Sequence, residues 1–206
     1  MRAMKISRTA KQQDVQRFGL LYGGLYGTRI EDSEISFGLN DVYKLHAVYE
    51  SSDDNPPKVP YIVLSEATFF APGTVITGGT SGARAIVVSF INSTLRLYNV
   101  DLNGSQFSPG ETVTGVDADN NVLTATIDDA DGSVEKGSKV ITNQYELNQA
   151  QNPFFYDVSR LVRKPGTTPP TRQLMAVFDY FIHEASGDYF SGQSYTGIEF
   201  SDIPSP

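Results

Sequence analysis

From residue 29 onward, polar and apolar positions alternate with a period of two, the mark of half-buried strands. Residues 41–49 place Tyr43, Leu45, Ala47 and Tyr49 on one face of a strand. The run ends at residues 51–57, Ser-Ser-Asp-Asp-Asn-Pro-Pro, a loop by composition. Residues 174–182 form the most apolar run, and both alternating faces are apolar except at Asp179. Such a strand belongs in the middle of a sheet, covered on both sides. Residues 164–170 just before it hold three prolines and cannot pair as a central strand.

Between these strands the sequence repeats itself. Phe70-Ala71-Pro72-Gly73-Thr74-Val75-Ile76-Thr77-Gly78 is echoed 37 residues later by Phe107-Ser108-Pro109-Gly110-Glu111-Thr112-Val113-Thr114-Gly115. Each copy reads as a Pro-Gly turn, a short strand, a glycine-containing turn and a returning strand. The returning strands are 83–90 and 122–127. Pro fixes φ and Gly permits φ > 0, so the pair initiates a turn. A lone hairpin is marginal in water, so two copies are expected to pack into one small β-domain.

Ahead of residue 29 the alternation is missing. Residues 9–18 fit one short helix with Val15 and Phe18 on one side. Residues 19–27 are rich in glycine and aromatics and read as an irregular segment packing against a neighbour. The pattern therefore predicts an all-β chain: an antiparallel β-sandwich with an inserted small β-domain. The parts are a basic N-terminal arm over 1–28, a parent sandwich from 29–58 plus 139–206, and the insert over 59–138. The insert's repeats cover about 70–90 and 107–127.

Composition agrees with strands and turns: 18 Gly and 11 Pro, with 11 Tyr and 12 Phe but no Trp, among 206 residues. With no Cys there is no disulfide framework and no thiolate chemistry. No apolar run approaches the roughly 20 residues of a membrane-spanning helix. The N-terminus lacks the apolar stretch of a secretory signal. A net charge of -8 argues against general nucleic-acid binding. The charge is uneven, however. Residues 1–30 hold Arg2, Lys5, Arg8, Lys11, Arg17 and Arg29 against Asp14, whereas 97–135 hold eight acids and no base. The arm is therefore expected to dock on a neighbouring subunit, through Arg2, Lys5, Arg8, Lys11, Arg17, Leu21, Tyr22 and Tyr26. The alternative is a solvated terminus.

Nothing in the sequence marks catalysis. His183 and Asp179 are four apart on a strand, about 13 Å at roughly 3.3 Å per residue, too far for a hydrogen bond. Residues 78–82, Gly-Gly-Thr-Ser-Gly, lack the spacing of a nucleophile elbow and read as a turn. Asp117, Asp119 and Asn121 offer oxygens at alternate positions, as calcium loops do. The sixth position, however, is Val122 instead of Gly, and the twelfth is Asp128 instead of Glu. A different calcium site from Asp117, Asp119 and 128–131 is the alternative to a pair of solvated turns, and the turns are preferred. No cofactor, metal or catalytic residue is expected. Tyr189, Phe190 and Tyr195 sit among Gly and Ser and could stack on a sugar, although such rings more often fill an interface.

One segment is distinctive. Residues 141–160, Ile-Thr-Asn-Gln-Tyr-Glu-Leu-Asn-Gln-Ala-Gln-Asn-Pro-Phe-Phe-Tyr-Asp-Val-Ser-Arg, go together with Arg163-Lys164-Pro165-Gly166, Phe178-Asp179-Tyr180-Phe181, Gly187-Asp188-Tyr189-Phe190 and residues 40–51. In these the chain resembles virion structural proteins of T4-like tailed phages, notably those of marine cyanobacteria. The resemblance covers roughly 29–204 and leaves the arm outside. It implies a tail, baseplate or fibre-associated component with no catalytic residues to carry over. It also implies a virion location, reached by assembly in the host cytoplasm. Family members often run far longer than this chain. The partners implied are other virion proteins and further copies of the chain, with a surface glycan as the alternative; neither nucleic acid nor membrane is among them. Within the segment, Phe154, Phe155 and Tyr156 are bulky enough to anchor the loop after the insert. Asp157 and Arg160 are close enough to pair.

Overall fold

Strand pairing organises most of the chain. The computed structural model describes residues 4–13, 29–152, 155–183, 201 and 203, and only the backbone of 4–13, 152, 155, 156, 182 and 183. Strands β1 (Met4–Gln13), β2 (Glu34–Ser36) and β3 (Val42–Glu50) come first. Then come β4 (Tyr61–Val63), β5 (Val75–Gly78), β6 (Arg84–Ile91), β7 (Arg96–Asp101), β8 (Thr112–Val116), β9 (Val122–Thr126) and β10 (Val134–Glu135). The last are β11 (Lys139–Val140), β12 (Tyr145–Asn148), β13 (Gln151–Asn152), β14 (Phe155–Tyr156), β15 (Arg160–Arg163) and β16 (Leu174–His183). Every pairing between them is antiparallel. Two compact units result: Met1–Pro57 with Lys139–Pro206, and Lys58–Ser138.

The first unit is a sandwich. One sheet has the order β1-β16-β3-β11 and the other β12-β15-β2, while β13 and β14 form a separate ribbon. Their apolar faces meet in one core: Ile35 of β2, Val48 of β3, Tyr145 of β12, Leu161 of β15, and Leu174 and Phe178 of β16. The rings of Phe37 and Phe178 lie 4.5 Å apart and tilted. Full burial of a side chain such as Phe178 contributes about 1.5–3 kcal/mol. β16 runs between β1 and β3, and its buried residues include Ala176 and Phe178 on one face and Val177, Asp179 and Phe181 on the other.

Three expectations need correction here. Residues 4–13 belong to this sheet: all ten pair with β16, from Met4 opposite His183 to Gln13 opposite Leu174. This part of the 1–28 arm is thus ordered on its own chain, and residues 1–3 and 14–28 lie outside the described residues. The physical reason is that a ten-residue apolar strand with one unpaired edge leaves backbone N–H and C=O groups unsatisfied, and β1 satisfies them. For the same reason residues 9–13 are strand and not the start of a helix. The third correction concerns β3. Its pairing with β16 shifts register twice, skipping His46 between Ala47 and Leu45 and Tyr43 between Lys44 and Val42. Each bulge inserts one residue and reverses the alternation. As a result Val42, Leu45 and Val48 join the core between the sheets, where an unbroken alternation would have placed Tyr43, Leu45, Ala47 and Tyr49 together.

The second unit is a barrel. Its strand order is β10-β4-β7-β6-β5-β8-β9. The sheet curls until Leu64 bridges Ile127, with Ser65 N–H donating to Thr126 O at 2.9 Å and Asp128 N–H to Val63 O at 2.8 Å. These bonds close β4-β7-β6-β5-β8-β9 on itself. Each of the six strands sends a side chain inward: Ile62, Leu97, Val87, Ile76, Val113 and Ala125.

The sequence repeat becomes a local twofold. Thr77 pairs with Thr114, its counterpart 37 residues on, flanked by Ile76 with Gly115 and Gly78 with Val113. Both Pro-Gly turns bond alike: Gly73 N–H donates to Val87 O at 2.9 Å and Gly110 N–H to Ile127 O at 3.2 Å. The two equivalent glycines are both needed for close approach. A Cβ on Gly115 would lie 2.9 Å from Thr74 Cγ2, and one on Gly78 would lie 2.7 Å from Glu111 Oε2.

The ends of the barrel are clasped. Lys58 N–H donates to Ser138 Oγ and Ser138 N–H to Lys58 O, both at 2.8 Å. A segment that enters and leaves at one point can be removed without stretching its host. Replacing residues 60–136 by a short Gly-Ser link should therefore leave a folded sandwich. Circular dichroism and limited proteolysis would read this, and an unfolded product would refute the independence of the two units.

Candidate functional site

The two bulges of β3 have a common consequence. The skipped residues, His46 and Tyr43, both reach Asp179 of β16. His46 Nε2 lies 2.8 Å from Asp179 Oδ2, and the Tyr43 hydroxyl donates to the same oxygen at 3.4 Å. Bulges re-aim side chains in this way. Arg8 of β1 holds the register position opposite Asp179. The His46 and Asp179 side chains are 6% and 1% exposed. The cluster is thus a polar fastening between β3 and β16 with little exposed side-chain surface. Asp179 was legible in the sequence as the one polar break in an apolar strand. Its partner was not, because the bulges that bring His46 to it leave no local signal.

In the barrel, Glu111 is buried and accepts four hydrogen bonds. They come from Thr80 N–H at 3.1 Å, Ser81 N–H at 2.9 Å, the Ser81 hydroxyl at 2.8 Å and Ser108 N–H at 2.7 Å. Burial pushes its pKa up, but the donors from Ser81, Ser108 and Thr80 outweigh that and hold the carboxyl below its usual range. One carboxylate of the second repeat thus caps the glycine turn of the first. This is the role of residues 78–82, a turn as expected from their spacing.

The acidic hairpin tip is also self-capped. Asp117 Oδ1 accepts from Asp119 N–H and Asn121 N–H, and Oδ2 accepts from the Asn121 amide. The Asn121 amide and backbone N–H hold the Asp117 carboxyl below its usual range. No group of three or more potential metal ligands gathers among the described residues.

In the sandwich, Asp157 Oδ2 accepts from Arg160 Nη2 at 2.6 Å, and Arg160 Nη1 reaches Glu34 at 3.3 Å. Arg160 thereby links β15, β2 and the loop before β15. Phe155 and Tyr156 form β14, which pairs with β13. Phe154 lies outside the described residues, as do Arg2, Arg17, Leu21, Tyr22, Tyr26, Tyr189, Phe190 and Tyr195. Lys5, Arg8 and Lys11 lie on β1, paired within their own chain.

Two surfaces stand open. The first is a groove of about 360 Å³ lined by Glu34, Glu146, Asn148, Gln149 and Gln151, among others. Glu146, Val162 and Glu34 form one cross-strand row beside it. The second is apolar. Of the large apolar side chains exposed among the described residues, Phe69, Val75, Ile91, Leu102, Val116 and Val122 all belong to the barrel. The sandwich exposes Val140. Sequence reading missed this concentration, because a strand pattern does not say which of its faces a partner covers.

No protein-family model, curated protein or solved structure matches the chain.

Proposed function

We propose that the chain is a non-enzymatic structural protein of a bacteriophage virion, a component of the tail or baseplate. It works by packing against other virion proteins and copies of itself. The observation that carries this reading is that, among the described residues, the exposed Val75, Val116 and Val122 are set side by side on the inserted barrel by the strand register. Isolated surface apolar residues need no explanation, but a group of them on one small module points to an interface. The resemblance of residues 29–204 to virion proteins supplies the setting. Mass spectrometry of purified particles should find the chain at stoichiometric abundance, and its absence from the particle would end the proposal.

A second reading is glycan binding by a fibre-associated module. It is favoured by the polar groove, whose carboxylates and amides suit sugar hydroxyls. Gln149 and Gln151 are held in place by donating to Tyr43 O and Asp41 Oδ1. A glycan array decides this reading: binding lost on Glu146→Ala supports it, and an empty array removes it.

A further inference from the structure

The strand register of the barrel collects the exposed valines into one row. Val75 of β5 pairs with Ile86 of β6. One residue beyond the Ile76–Gly115 pair, the same register sets Val75 opposite Val116 of β8, and Val116 pairs with Val122 of β9. Ile86, Val75, Val116 and Val122 therefore cross four adjacent strands, a span of about 15 Å at roughly 4.8 Å per strand. Val75, Val116 and Val122 are 38%, 50% and 68% exposed. The next row, Thr77, Thr114 and Thr124, is uncharged, as is the Thr112–Thr126 pair after it. The result is a β-branched row on the outer surface of the barrel. On these rows Arg84 of β6, the register partner of Thr77, is the one charged residue, and the valine row itself carries none.

The borders of the face are acidic. Asp117 and Asp119 occupy the turn beyond the valine row, and Asp128, Asp129 and Asp131 follow β9 at its other end. No base occurs between residues 97 and 135, and Arg84 on β6 flanks the threonine row. A second copy would bring its own acidic borders against these, and like charges across an interface are unfavourable.

We infer that the Val75–Val116–Val122 face of the inserted barrel is a docking surface for a protein segment with apolar side chains bordered by Lys or Arg. This names the partner chemistry for the packing role proposed above and rests on that reading. The apolar row supplies desolvated contact area, while the acidic borders steer encounter and set register.

The test uses the purified full chain and a random peptide display library, so its outcome does not depend on finding the chain in virions. The library is selected on the wild-type chain and counter-selected on Val122→Asp. Selected peptides should combine apolar and basic residues. Their affinity should fall at least about tenfold on Val122→Asp and on Val116→Ser. It should be unchanged on Val140→Asp, and should weaken as salt is raised. Matching thermal melts would show that the variants are folded, and Val122→Thr provides a milder change at the same place. The inference is overturned if no peptide distinguishes the wild type from Val122→Asp, or if the selected peptides are acidic or lack charge. It is also overturned if the chain self-associates in sedimentation and Val122→Asp abolishes that, because the occupant is then a second copy.

Discussion

Asp179→Ala is expected to destabilise the sandwich by about 1–3 kcal/mol, the cost of leaving buried hydrogen-bonding groups without their partner. The change strips His46 Nε2 and the Tyr43 hydroxyl of their shared acceptor. Both are held on bulges that exist to reach it, and water cannot replace the lost oxygen at 1% exposure. His46→Ala should also weaken the unit, since it leaves the carboxylate short of a donor. The double variant should be less damaging than the sum of the two, with a coupling energy of about 1–3 kcal/mol. Urea denaturation of the full chain reads these values. The barrel transition should stay in place while the sandwich transition moves to lower urea. Strict additivity of the two substitutions would show that His46 and Asp179 do not act on one another.

Glu111→Gln should cost the barrel about 2–3 kcal/mol at neutral pH, because bonds to a charged acceptor are replaced by bonds to an amide whose NH₂ faces other donors. The pH dependence has a definite sign. The folded carboxyl titrates below its unfolded counterpart, whose value is about 4.3. Its stabilisation is therefore fully present above that range and is lost as pH falls through the folded value. The gap between wild type and Glu111→Gln should accordingly narrow from pH 7 to pH 3, read as the difference in barrel unfolding midpoints. A gap of constant size would mean that shape, and not charge, makes Glu111 indispensable.

The sequence revealed the elements that depend on neighbours along the chain. The Pro-Gly turns at 72–73 and 109–110, the strands that follow them and the central placement of β16 all rest on local pattern. What stayed hidden depends on residues far apart in the chain. β1 is polar and basic, and only the free edge of β16, some 170 residues later, makes it a strand. The bulges at Tyr43 and His46 interrupt an alternation that reads as unbroken. Closure of the barrel through Leu64 and Ile127 follows from accumulated sheet twist, which no window of residues displays. The candidate docking face was hidden for a similar reason. Val75, Val116 and Val122 look like ordinary strand residues until the register sets them side by side.

The clasp between Lys58 and Ser138 has a consequence for how the host sandwich assembles. Glu50 and Leu174 are register partners, so the central pairing of the sandwich must close a loop of more than a hundred residues. Most of that loop is the barrel, whose own pairings all lie within residues 61–135. Once folded, the barrel brings its two ends within one hydrogen bond and takes some eighty residues out of the closure. Loop entropy grows only with the logarithm of length, so the relief is modest, about 1 kcal/mol. It acts on the search before β3 and β16 meet. The insert serves its host as a splint, holding two distant stretches of chain close enough to find each other.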